Sequence, residues 1–115
     1  MTEPKLRLQE GLDKLKKLDP KTYRIFDISQ GQVMRMSALK EELRSYILRG
    51  VIQDAIAARG WGCYQYHYRR DALPEGTKRE FAYISTDTDT FASAEADTPA
   101  EAILLTYVAA LEAKG

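Results

Sequence analysis

The sequence has one cysteine, one histidine, no excess of either charge and no long apolar run. Each scarcity closes off a class of protein. A lone Cys63 cannot form an intrachain disulfide, so nothing in the chain asks for an oxidising compartment. One His and one Cys cannot build a structural zinc site. No stretch approaches the ~18 apolar residues of a spanning helix. The opening residues, MTEPKLRLQEGLDKLKK, lack the apolar core of a secretory signal. These features predict a cytoplasmic protein without a membrane segment. Lys+Arg and Asp+Glu both number 17, whereas a dedicated DNA-binding domain usually carries a basic excess. Neither G-x-x-x-x-G-K-[ST] nor G-x-G-x-x-G occurs, so no phosphate cradle and no cofactor are expected.

Catalytic sets are scarce as well. A nucleophile needs a base and an orienting group within hydrogen-bond reach. Cys63 and His67 are four residues apart. On a strand that spacing separates them by about 13 Å, at ~3.3 Å per residue. Asp87 and Asp89 in DTDT look like the start of a calcium loop. The loop's glycine and its closing Glu are missing, with Thr98 standing in the last place. The chain is therefore expected not to be an enzyme.

What is present is ordinary globular material. The 115 residues suffice for one domain, 1–115. A hydrophobic fraction of 44% with zero net charge is not the composition of a disordered chain. The charges are unevenly spread: residues 1–36 and 37–79 each hold 8 basic and 5 acidic side chains, and 80–115 hold 1 and 7. The last third can thus present an acidic surface, or simply a solvated one.

The hydrophobic pattern predicts the elements. Leu8, Leu12 and Leu15 mark an amphipathic N-terminal helix. Gly11 weakens it, and Asp19-Pro20 ends it. Residues 20–36 fit either a strand pair or a helix with Asp19 as cap, Pro20 at the first position and Gly31 as terminator. We expect a helical or irregular segment followed by an extended VMRM. Residues 37–59 carry the strongest helical period, on Leu39, Leu43, Tyr46, Ile47, Val51, Ala55 and Ala58. Leu48, Ile52 and Ile56 widen that stripe. Ser37 is its candidate N-cap, Gly50 a weak point, and Gly60 its left-handed terminator.

The period then drops to two. WGCYQYHYRR (61–70) alternates Tyr64, Tyr66 and Tyr68 against Cys63, Gln65, His67 and Arg69. REFAYIST (79–86) is its natural partner across a turn holding Pro74 and Gly76. DTDTFASAEA (87–96) either extends that strand or forms a third. Thr98, Pro99 and Glu101 form the start signal of a last helix, with Ile103, Leu104, Tyr107, Val108 and Leu111 on one face. The expected fold is α+β. A small antiparallel sheet, its hairpin at about 62–86, packs with the long central helix and the C-terminal helix (the 37–115 core). The N-terminal amphipathic helix and the irregular segment make up 1–36.

Residues 48–113 resemble the small phage proteins grouped as the phage ABA-sandwich domain. The resemblance rests on a helix closing in IAARGW (56–61), an aromatic strand, a Gly-containing turn and a second strand. It ends in EADTPAEAILLTYVAALEA (95–113), where the family's A-D-T-x-x-x-A-I segment opens the last helix. The Trp-Asn signatures of the family's N-terminal part are absent. The resemblance implies a phage or prophage accessory protein and transfers no functional residue.

The candidate binding surface is the hairpin: Tyr64, Tyr66, Tyr68, Arg69, Arg70, Lys78 and Arg79, with Asp87 and Asp89 beyond it. The leading expectation is a protein partner of host or phage origin, such as a bacterial defence component that the chain inhibits. The alternative is single-stranded nucleic acid, bound by stacked aromatics beside basic groups. Self-association is a further option. Where the tyrosines point separates the first two. Rings packed under a helix, hydroxyls at the rim, favour the protein partner, and this is what we expect. Exposed rings beside Arg69 and Arg79 favour nucleic acid.

Overall fold

The leucine spacing at the start yields the expected helix, α1 (Pro4–Leu18), in a computed structural model that describes residues 4–34, 40–69, 78–86 and 91–114. Leu12 and Leu15 are buried and Leu8 half-buried. Gly11 has a role beyond weakening the helix. A Cβ there would stand 3.0 Å from Leu104 and 3.2 Å from Leu105. The bare backbone is what lets α1 lie against the last helix.

Asp19 alone separates α1 from α2 (Pro20–Met34). Its carboxylate caps α2 by accepting from the Thr22 N–H at 3.2 Å, with Pro20 in the first helical position. Two expectations fail here. Val33 and Met34 are helical rather than extended, and Gly31 does not end the helix. Gly31 is exposed with an ordinary right-handed φ, so it continues a helix whose buried Thr22 and Phe26 are already docked. Arg35 and Met36 lie outside the described residues.

Helix α3 (Lys40–Ala58) runs straight through Gly50; its expected N-cap, Ser37, is outside the described residues. Its end is a Schellman motif. Gly60 adopts φ 74°, its N–H donates to the Ala57 carbonyl at 2.9 Å, and the Trp61 N–H reaches Ile56 at 3.2 Å. The buried line is Leu48, Ile52 and Ile56, not the longer stripe through Tyr46, which is 70% exposed. Helix α3 has neighbours on two sides, α2 and the last helix. The line between them is buried most, leaving Ile47, Val51 and Ala55 half-covered.

Strands β1 (Gly62–Arg69), β2 (Lys78–Ser85) and β3 (Phe91–Ala96) form one antiparallel sheet in the order β1-β2-β3. DTDTFASAEA thus supplies a third strand. Helix α4 (Pro99–Lys114) follows, with the Glu101 N–H donating to Thr98 Oγ1 at 3.2 Å. From Ala100 to Leu111 every residue of α4 is buried except Leu105 and Ala109. It is the hub: α4 packs on β2 and β3, on α3 and on α1, while α2 closes against α1 and α3. The fold is α+β, a small sheet backed by helices.

Candidate binding face of the sheet

The register sorts the sheet into two faces. Cys63 pairs with Ile84, which pairs with Ala92, and Gln65 pairs with Ala82, which pairs with Ala94. On this side Ala82, Ile84, Ala92 and Ala96 are buried. Four alanines and one isoleucine make a shallow surface, and α4 comes down on it. Gln65 fixes the outer strand to the helices. Its Oε1 accepts from Arg49 Nε and Gln53 Nε2, each at 3.0 Å, and its Nε2 donates to the Pro99 carbonyl at 3.0 Å.

The tyrosines fall on the opposite face. Tyr64 pairs with Tyr83, which pairs with Ser93; Tyr66 pairs with Phe81, which pairs with Glu95; and Tyr68 pairs with Arg79. Tyr64 is 63% exposed, and its ring lies 6.3 Å from that of Tyr83 at a 45° tilt. The expectation that the tyrosines pack beneath a helix is therefore overturned at Tyr64. Alternation fixes that there are two faces but not which one a helix takes. The alanines of β3 decide it, because large rings on the covered side would hold α4 off the sheet.

Of the candidate residues, Tyr66, Tyr68, Arg69, Lys78 and Arg79 occupy the strand positions just given, with Arg69 opposite Lys78. Arg69, Lys78 and Arg79 all lie at one end of the sheet, Arg79 in phase with Tyr68 and the tyrosine face, Arg69 and Lys78 in phase with Gln65 on the other face. Arg70, Asp87 and Asp89 lie outside the described residues.

No catalytic or metal set assembles. Cys63 and His67 share β1, which keeps them about 13 Å apart at ~3.3 Å per residue. Burial pushes the Cys63 thiol up despite the nearby Arg49 charge, the reverse of an activated nucleophile. Among the described residues no group of His, Cys, Asp and Glu could hold a metal ion.

One polar cluster has no signal in the sequence beyond the capping role of Asp19. Asp19 Oδ2 accepts from Thr22 Oγ1 at 2.6 Å and from the Tyr107 hydroxyl at 2.5 Å. Arg59 Nε donates to the same hydroxyl at 3.0 Å, and Arg59 Nη2 stands 3.7 Å from Asp19. The guanidinium lies 5.2 Å over the Trp61 ring, and Trp61 meets Tyr107 edge-on at 6.2 Å. Burial alone would raise the Asp19 pKa. The Thr22 and Tyr107 hydrogen bonds and the Arg59 charge outweigh it and hold the carboxyl below its usual range. Burial, together with donation to Asp19, pushes Tyr107 up. Every polar group of the cluster faces another, so it clasps the α1–α2 junction to α3 and α4. Beside it an open groove of about 400 Å³ runs between α2 and α3.

Glu101 is the other buried charge. Its Oε1 accepts no hydrogen bond and lies 3.5 Å from Arg7 Nε. Burial raises its pKa, with Arg7 opposing and Asp97 adding to the rise. Arg7 also donates to the Glu95 carbonyl at 3.1 Å, tying α1 to β3.

No protein-family model matches this chain, and no curated protein matches it.

Proposed function

We propose that this chain is a non-enzymatic, phage-type binding protein whose working surface is the tyrosine face of the sheet, and that the ligand is single-stranded nucleic acid. One observation carries the reading: Tyr64 is 63% exposed, on the side of the sheet opposite its alanine face. Exposed rings were the condition that favours nucleic acid over a protein partner. Same-face positions on β1 recur every ~6.8 Å, about twice the 3.4 Å rise of stacked nucleotides. Bases held at that spacing stack on rings rather than on each other, the mode of single-strand platforms. Arg79, opposite Tyr68 and in phase with the tyrosines, adds a basic residue to this face at one end of the sheet.

The second reading is a protein partner, such as a bacterial defence component that the chain inhibits. Zero net charge favours it, as does Glu95, in phase with Phe81 and Tyr66 on the same face. Titration of a fluorescent oligonucleotide across a salt series decides between them. Nucleic acid predicts saturable binding at ~0.15 M salt, and replacing Arg79 should reduce the slope of log affinity against log salt by about 0.7. No measurable binding at that salt removes the first reading and leaves the second.

A further inference from the structure

A second surface has the properties of a self-complementary contact. Ile25 and Ile28, three apart on α2 and so neighbours on one helix face, are 48% and 52% exposed, a contiguous apolar pair rather than scattered single residues. Ile25 lines the groove between α2 and α3, with Ile28 one turn further along α2, and the groove's other wall is of small side chains: Val51, Ala55 and Ala58. Ridge and hollow belong to one patch, which an isologous two-fold contact requires. The patch also carries one charge of each sign, as a self-complementary contact needs. Lys21, one turn before Ile25, stands on the α2 wall, and Asp54 stands on the α3 wall. Both are exposed, and among the described residues neither has an ion-pair partner. Asp19 and Arg59, at the groove's end, are already engaged with each other and with Tyr107.

We infer that this groove is occupied by a second copy of the chain. The Ile25–Ile28 ridge of each copy fills the Val51–Ala55–Ala58 hollow of the other, and Lys21 of each meets Asp54 of the other. The apolar contact drives association, and the two reciprocal charge pairs fix its register, since exposed pairs contribute specificity more than affinity. The contact lies in the helical layer, so both tyrosine faces stay open. Such a dimer presents two binding faces and gains avidity for any ligand long enough to reach both.

Sedimentation from low to ~100 µM protein tests the inference, a range that resolves a micromolar dimer. The wild type should be a dimer at the top of the range. Ile25→Lys should be monomeric with an unchanged melt, because its position is exposed. Lys21→Asp and Asp54→Lys should each weaken the dimer roughly tenfold, by losing two exposed pairs and adding like-charge contacts. The double exchange, Lys21→Asp with Asp54→Lys, should restore it. A wild type that stays monomeric at ~100 µM overturns the inference, whether or not the groove then takes an added amphipathic peptide. A dimer indifferent to Ile25→Lys, or a double exchange that fails to restore, overturns it too. Oligonucleotide binding is read separately, so either proposal can fail alone.

Discussion

The two faces of one sheet are built on opposite plans. The helix side carries four alanines and one isoleucine, nearly all buried, and Gln65 on it has three hydrogen bonds at 3.0 Å. The open side carries the rings, and Tyr64, 63% exposed, lies beside the ring of Tyr83. The same three strands therefore hold residues that stability depends on and residues that it can do without. Large side chains are usually the ones buried. Here the small ones are, since a helix as thoroughly enclosed as α4 needs a close approach on every side. Gly11 shows the same rule on α1, where a Cβ would press on Leu104.

The comparison predicts its largest effect on the covered side. Leu104 is fully buried between α1 and the rest of the core. Leu104→Ala should cost ~2–5 kcal/mol, as large-to-small core changes do. Denaturant midpoints at constant m-value measure it. A loss below ~0.5 kcal/mol, typical of surface sites, would show that α4 is not the hub.

The clasp comes next. Tyr107→Phe keeps the ring but removes the hydroxyl that donates to Asp19 and accepts from Arg59. Leaving the largely buried Asp19 carboxylate short of a donor should cost about 1–3 kcal/mol near neutral pH. The pH dependence has a definite sign. A carboxyl whose folded pKa is depressed contributes stability above its unfolded pKa, roughly 3.9, and loses it as pH falls through the folded value. Without the Tyr107 bond Asp19 is depressed less, so the gap between wild type and variant should shrink on going from pH 7 to ~3. Glu101, shifted upward, acts in the opposite direction, but it is common to both proteins and drops out of the difference. A gap that stays constant would mean that Tyr107 stabilises by packing alone.

Local signals carried most of the fold. Asp19-Pro20 set the α1–α2 boundary, Gly60 ended α3, and Thr98 with Pro99 started α4, because caps and prolines act within one turn of chain. The alternation around Tyr64 gave a strand for the same reason. What local pattern could not give was orientation. Which side of β1 meets a helix depends on Ala92, Ala94 and Ala96, two strands away, and which line of α3 is deepest depends on its flanking helices. The signal for α4 as hub was present: no charge lies between Glu101 and Glu112. Reading one face of that helix understated it. The Asp19–Tyr107 bond joins residues 88 positions apart, and neither neighbourhood announces the other.

The smallest stability effect sharpens the comparison most. Tyr64→Ala removes a ring of size comparable to anything in the core, yet the ring is 63% exposed and its ring contact is with Tyr83. A cross-strand pair of this kind is worth ~0.2–1 kcal/mol, so the variant should melt within about 1 kcal/mol of wild type. If the open face is the working surface, the same substitution should weaken binding of a short oligonucleotide by about 1–3 kcal/mol, the usual loss of one stacking ring. Leu104→Ala should show the reverse, a large loss of stability and, where it remains folded, unchanged affinity. The two variants thus separate a surface kept for a ligand from a surface kept for a helix. Were Tyr64→Ala to destabilise the protein as much as Leu104→Ala while leaving oligonucleotide binding intact, the tyrosine face would be part of the core, and the division between the faces would fail.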